Sequence, residues 1–257
     1  MYHEYKEVLM NELNLTYEDV EGIAGALLAV FFILIEKLKP AREMNKMDDF
    51  KYDLLGFLLI PVVVGLSRNS IRGVIGYFNI ESMDLLAGYH SGLKIFLSLL
   101  ITDLFLYINH RLMHTDFLWN AHVWHHMPKN LYWFSGFRSS FIHAFMFAIP
   151  GILVGFFLFN LNFTELCIAY SYGAFAQFFT HANIKYKLQS LSYIIVTPHM
   201  HSVHHQTGDH THKNFGVMFS CWDRLFGTYL DPDSVEHRQY GSEKPENVSL
   251  IRILLGM

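Results

Sequence analysis

Four or five apolar segments of this chain approach the roughly 20 residues that a helix needs to cross a bilayer. Nothing else in the sequence constrains the fold as strongly. The cleanest segment covers residues 22–38, uncharged until Glu36. Residues 52–66 carry Pro61, residues 92–108 are interrupted by Asp103, and residues 143–161 hold Pro150. Residues 163–180 are weaker, with Glu165 and several small or polar side chains, and a buried core helix would imitate a short span there. Residues 71–87 and 191–196 could lie at the interface or re-enter. Composition agrees, because 52% of the 257 residues are hydrophobic and only 16% are charged, against roughly 25% charged in soluble domains. The expected fold is an all-α integral membrane protein, with one membrane domain over residues 1–257 and four or five membrane-associated helices.

The basic residues orient this layout. If the spans alternate, one side receives residues 36–51, 110–143 and 181–257, which hold fifteen of the 19 Lys and Arg; Lys6, Arg68, Arg72 and Lys94 fall on the other. The positive-inside rule makes the rich side cytoplasmic. The membrane is then a bacterial inner membrane, or the endoplasmic reticulum in a eukaryote. The first twenty residues are polar and acidic (Glu4, Glu7, Glu12, Glu18, Asp19), unlike a cleavable signal peptide. A net charge of −4 without a Lys/Arg-rich block excludes nucleic acid as a partner. Cys167 and Cys221 are too few for a disulfide framework and form no C-x-x-C motif.

Metal binding therefore rests on histidine. Thirteen of the 16 histidines lie between His110 and His212. They group as His110-x3-His114, His122-x2-His125-His126 and His201-x2-His204-His205, with His181 between. Residues four apart share a helix face, so His110 and His114 can reach one ion. In each H-x2-H-H run two imidazoles can serve one ion while the third turns to another. Eight grouped histidines and a ninth exceed one four-coordinate ion and point to a dimetal site in a helical, histidine-rich cytoplasmic cap. Gln177, one turn before His181, is a weak ligand or holds a water. His199 competes with His201, but only His201 completes the spacing; His143, His210 and His212 read as surface residues or as supports of the ligands. Asp103, two turns before His110, either orients a ligand imidazole or pairs with Arg111 or Lys94.

No H-E-x-x-H and no pair of E-x-x-H motifs is present, which excludes zincins and the soluble carboxylate-bridged di-iron bundles. An all-imidazole site suits Zn, Cu, Fe or Ni. Its position at the membrane surface suggests oxidation of a lipid chain, and strong C–H bonds require O2 activated at iron or copper.

The histidine set, followed by Asn214-Phe215-Gly216 and Trp222-Asp223-Arg224-x-Phe226-Gly227-Thr228, resembles the fatty acid hydroxylase / sterol desaturase superfamily, strongest over residues 103–228. Within it the chain looks nearest to bacterial sterol-desaturase-like and alkylglycerol-monooxygenase-like members. The resemblance implies a di-iron centre held by His110, His114, His122, His125, His126, His181, His201, His204 and His205, with Asp103, Asn214 and Asp223 supporting those ligands. Some members carry a further histidine where this chain has Gln177. It also implies O2 as co-substrate and a lipid substrate, sterol-like, acyl or sphingoid, or ether-linked. Electrons then come from a separate ferredoxin- or cytochrome-type protein with its reductase. Zn is expected to occupy such nitrogens in purified protein, since it binds them more tightly than Fe(II). The competing reading is a histidine-rich membrane metal transporter or sensor, which predicts ligands strung along a path through the bilayer. Tyr132, Trp133, Phe134 and Phe137 are expected either at the mouth of a substrate tunnel or in an interfacial aromatic belt.

Overall fold

A computed structural model describes residues 16–45, 47, 50–208, 212–236, 239–242 and 249–257. The acidic start of the chain and His210 lie outside the described residues. Five long helices carry the architecture: α1 (Tyr17–Leu38), α2 (Phe50–Tyr77), α3 (Ser91–Met113), α5 (Phe141–Ile152) and α6 (Phe163–His181). Among the described residues, four short ones join them: α4 (Trp119–His126), α7 (Pro198–His204), α8 (Cys221–Leu225) and α9 (Leu250–Leu255). Among the described residues there is no strand, only isolated bridges such as Ile195 with Phe219.

Local chemistry sets the boundaries. Thr16 caps α1 and Asn162 caps α6, each in a reciprocal capping box with Asp19 and Glu165 respectively. Ser140 caps α5, and Thr197 caps α7 with Pro198 just inside the helix. Pro150 lies inside α5, and the helix widens directly after it into a π-helical turn over Leu153–Leu158.

Among the described residues, three helices are long and apolar enough to cross a membrane: Phe50–Tyr77, Ser91–Met113 and Phe141–Leu158. The α1 helix packs on α6, and α6 packs on α3. However, α1 carries Glu36 and Lys37 at its end, and α6 carries Glu165 and Gln177. One boundary differs from the sequence expectation: α2 continues past Leu66 for eleven residues. It takes Arg68 into a buried position and absorbs the start of the segment at residues 71–87. Residues 191–196 form a short 3-10 turn, Leu191–Tyr193, beside α8 rather than a re-entrant segment.

The cap ends of the helices are tied together by buried polar groups. Glu36, at the end of α1, accepts hydrogen bonds from the backbone N–H groups of Trp133 (2.9 Å) and Asn183 (2.8 Å). Asp53 on α2 pairs with Arg138 and accepts from the Tyr132 hydroxyl, all three side chains being buried. Gly56 is required one turn further on. A Cβ there would lie 2.3 Å from the Phe137 carbonyl oxygen, a contact with backbone that cannot rotate away. Tyr132 and Trp133 join Phe32, Phe178 and Phe179 in the apolar core, so these two form neither a belt nor a mouth; Phe137 does line the cavity described below.

Candidate metal centre

The cap gathers all nine sequence-selected histidines into two groups. Donor atoms of His110, His114, His122, His126 and His204 lie within 4.8 Å of one another, as do those of His125, His181, His201 and His205. Every one of these side chains is buried. Helical spacing explains the division. His110 and His114, His122 and His126, and His201 and His205 are each four apart and fall in the same group. The remaining member of each H-x2-H-H run, His125 and His204, turns to the opposite group.

The surrounding backbone fixes which nitrogen faces inward. Nδ1–H of His110 donates to the Phe215 carbonyl (2.7 Å), that of His125 to Arg138 (3.1 Å), that of His181 to Gln177 (2.9 Å) and that of His204 to Lys213 (2.8 Å). A carbonyl can only accept, so Nε2 of each ring is an unprotonated lone pair. The Nε2 atoms of His125 and His181 nevertheless face each other at 3.2 Å. Two lone pairs at that distance repel unless a cation lies against both. Both ring nitrogens of His114, Nε2 of His204 and Nδ1 of His126 and His201 are buried without a hydrogen-bond partner. Burial also holds His114, His122, His125, His126, His201, His204 and His205 well below the ordinary histidine pKa, in the neutral form that binds metals. These donors fit two metal ions, and an all-nitrogen set suits iron, zinc, copper or nickel.

The loop at residues 213–219 presents two of the four anchoring carbonyls, and the supporting residues hold that loop. Asp223 accepts from the backbone N–H groups of Phe215 (2.7 Å) and Gly216 (2.8 Å) and from the Thr228 hydroxyl (2.7 Å). The Tyr107 hydroxyl in turn donates to Thr228 at 2.8 Å. Asn214, at a positive φ of 56° that asparagine tolerates, brackets the loop through Met200 and Leu230. Asp103 accepts from Met218 N–H, Phe219 N–H and the Trp222 indole. This corrects both expectations for Asp103: it bonds neither an imidazole nor Arg111, and Lys94 pairs with Asp84 instead.

The Gln177 side-chain amide donates to the Gly136 carbonyl at 2.6 Å, at the edge of the cavity beside His181. His199 turns away to Asp233. His143, left among the surface or supporting residues on sequence grounds, is buried against the centre, with its Nδ1 3.4 Å from Nδ1 of His122 and its ring 5.1 Å from that of His125. No spacing signals it, because it comes from α5, a different element. A cavity of about 370 Å³ begins at His110, His122, His125, His143, His181 and His201 and continues among α2, α3, α5 and α6. Its walls are apolar, with Leu106, Phe147, Ala148 and Gly173 among them.

Fold and site together define an all-α membrane protein with two buried histidine groups at one end of an apolar cavity. The fatty acid hydroxylase family model matches residues 95–228, and the chain belongs to that family. It is 29% identical to an ornithine lipid hydroxylase, OlsE, of Rhizobium tropici over 80% of this chain and 65% of the relative. It is also similar to alkylglycerol monooxygenases of Caenorhabditis elegans (27% identity over 58% of this chain) and Xenopus tropicalis (28% over 59%). The chain spans 29% and 33% of the length of those two. No solved structure matches it.

Proposed function

We propose that this chain is an O2-dependent di-iron oxidoreductase that hydroxylates a lipid C–H bond. One observation carries the reading: imidazoles of both groups form the polar end of an apolar cavity that runs between the membrane helices. The names of the relatives, a lipid hydroxylase and two monooxygenases, support hydroxylation over desaturation. The nine histidines are the proposed ligands, and iron held there would supply reductive activation of O2. The chain's own part is to hold Nε2 of His110, His125, His181 and His204 in register through the carbonyls of Phe215, Arg138, Gln177 and Lys213, and to keep water from the cavity with Leu106, Phe147 and Ala148. His143 orients His122, whose Nδ1 faces it where those of His110, His125, His181 and His204 face carbonyls. The cap faces the cytoplasm, where a separate redox protein supplies electrons. The histidines cluster at one end of the helices rather than along a path, which favours oxidation over transport.

The test compares lipids of cells expressing the wild type or His125→Ala, grown with iron and ¹⁸O2. A lipid heavier by one ¹⁸O only in the wild type is expected, and it names the substrate. Loss of two hydrogens without label would make the chain a desaturase. No change with any lipid, in cells supplied with a redox partner and in which the protein holds iron, would refute the oxidase reading.

A further inference from the structure

Four helices surround the cavity: α2, α5, α3 and α6. Three of the four seams between them are packed, α2 on α5, α5 on α3 and α3 on α6. The fourth, between α6 and α2, has no comparable packing among the described residues, although Ile60 and Val64 of α2 and Gly173 and Ala174 of α6 all line the cavity. These four residues are only partly buried, whereas Val63 and Ser67, on the neighbouring face of α2, are fully so. Ile60 and Val64 are four apart, as are Tyr170 and Ala174, so each pair lies on one helix face. The α1 helix packs on α6 but contributes no residue to the cavity lining.

The unpacked seam is bridged at both ends. At the cap end, the turn at Ser135–Phe137 packs on both helices, and the Phe137 ring meets Phe57 of α2 and Phe178 of α6 edge to face, each at 5.2 Å between centres. At the other end the Arg68 guanidinium of α2 lies 5.3 Å from the ring centre of Tyr170 on α6, a cation–π contact. Eleven residues separate Phe57 from Arg68, and eight separate Tyr170 from Phe178. At 1.5 Å per residue, the opening between the bridges is about 12–16 Å tall. Val64 lies at the middle of α2, so the opening is at the depth of lipid chains rather than of head groups. Lipid chains are as apolar as leucine, so an unpacked apolar seam costs little there. Pro61, exposed at its edge, supplies no N–H to the Phe57 carbonyl, which leaves α2 able to bend at the opening.

We infer that the opening between α2 and α6 is the portal through which the alkyl chain of a membrane-dissolved lipid enters the cavity sideways, with Gly173 and Ala174 setting the width of chain admitted. A head group would have to leave water to pass at this depth, so the chain enters and the head group stays in the interface. The inference rests on the proposed function only in taking the cavity for the lipid site.

Entry is timed without turnover, on zinc-loaded protein in nanodiscs. A fatty alcohol carrying a diazirine near its chain end is mixed in and flashed at set delays, and its adducts on Leu106 and Phe147 are counted by mass spectrometry. In a Cys221→Ser background, Val64→Cys and Ala174→Cys together allow a short bis-methanethiosulfonate to tie the two helices across the opening. The tied protein should label about tenfold or more slowly, and cleavage of the linker by reductant should restore the rate. Ala174→Phe, which needs no linker, should also slow entry while metal content stays at the wild-type level. An unchanged labelling rate in the tied protein, or in Ala174→Phe, would overturn the portal. Absence of adducts from the wild-type cavity would instead overturn the reading of that cavity as a lipid site, a separate result.

Discussion

Replacing Asp223 with asparagine tests whether the carbonyl of Phe215 sets the tautomer of His110. The carboxylate accepts three hydrogen bonds, from Phe215 N–H, Gly216 N–H and Thr228, at 2.7, 2.8 and 2.7 Å. The amide side chain of the variant would keep one acceptor oxygen and turn its NH2 group toward a backbone N–H. At least one bond is lost and a donor meets a donor. A hydrogen bond to a charged group contributes about 1.5–3 kcal/mol. Burial raises the Asp223 pKa, so the carboxylate is held less firmly than three such bonds suggest, and the lower half of the range applies. The expected destabilisation is about 2 kcal/mol. Displacement of Phe215 and Gly216 loosens the partner of His110, and loss of such a support lowers metal affinity roughly 10–100-fold. The loss should be larger at the five-histidine group, since the other group is anchored through Arg138 and Gln177. Metal content against a graded chelator, together with thermal unfolding, measures both effects. An Asp223→Asn protein that unfolds with the wild type and holds both ions as tightly would refute the reasoning.

Three further outcomes follow from the geometry. His125→Ala and His126→Ala alter neighbouring residues but strip different groups, so each variant, given excess metal, should retain about one ion per chain, with different competitor profiles in elemental analysis; loss of both ions from either would show a single shared site. Gly56→Ala adds a methyl 2.3 Å from the Phe137 oxygen. It should cost about 1–3 kcal/mol through overpacking, offset by roughly 1 kcal/mol of helix propensity, and lower lipid oxidation by up to about 100-fold as the backbone at Arg138 shifts; wild-type turnover would contradict this. In metal-free protein, burial depresses the pKa of His122, His126, His204 and His205 below the ordinary value of 6.5. The unfolded chain then binds more protons below about pH 6.5, and stability falls with pH from there downward. An unfolding temperature of chelator-treated protein that is no lower at pH 5.5 than at 7.5 would contradict the sign.

The ligand set is legible because helical periodicity leaves a trace in sequence: His110 with His114, and each H-x2-H-H run, are three- and four-residue intervals on helices. Asp223 and Asn214 are legible through family resemblance. The anchors of the imidazoles are not, because Phe215, Arg138, Gln177 and Lys213 contribute main-chain oxygens that any residue carries. His143 escapes for a related reason, since its neighbours His122 and His125 belong to another helix. Arg68 reads as lying beyond a span because the apolar run stops at Leu66, while backbone hydrogen bonding carries the helix on to Tyr77.

A single peptide bond joins His125 to His126, and another joins His204 to His205, yet the members of each pair belong to different groups. The two pockets are thus stitched together twice through rigid short helices. Filling either pocket fixes the rotation of α4 and α7 about their axes, and that rotation is the register the other pocket requires. The ordering entropy of both helices is then met largely by the first ion, so a half-loaded chain is a poor resting state and the second ion enters a pocket already formed. The centre assembles as a unit, and starvation of the wild type for metal should yield a mixture of full and empty molecules.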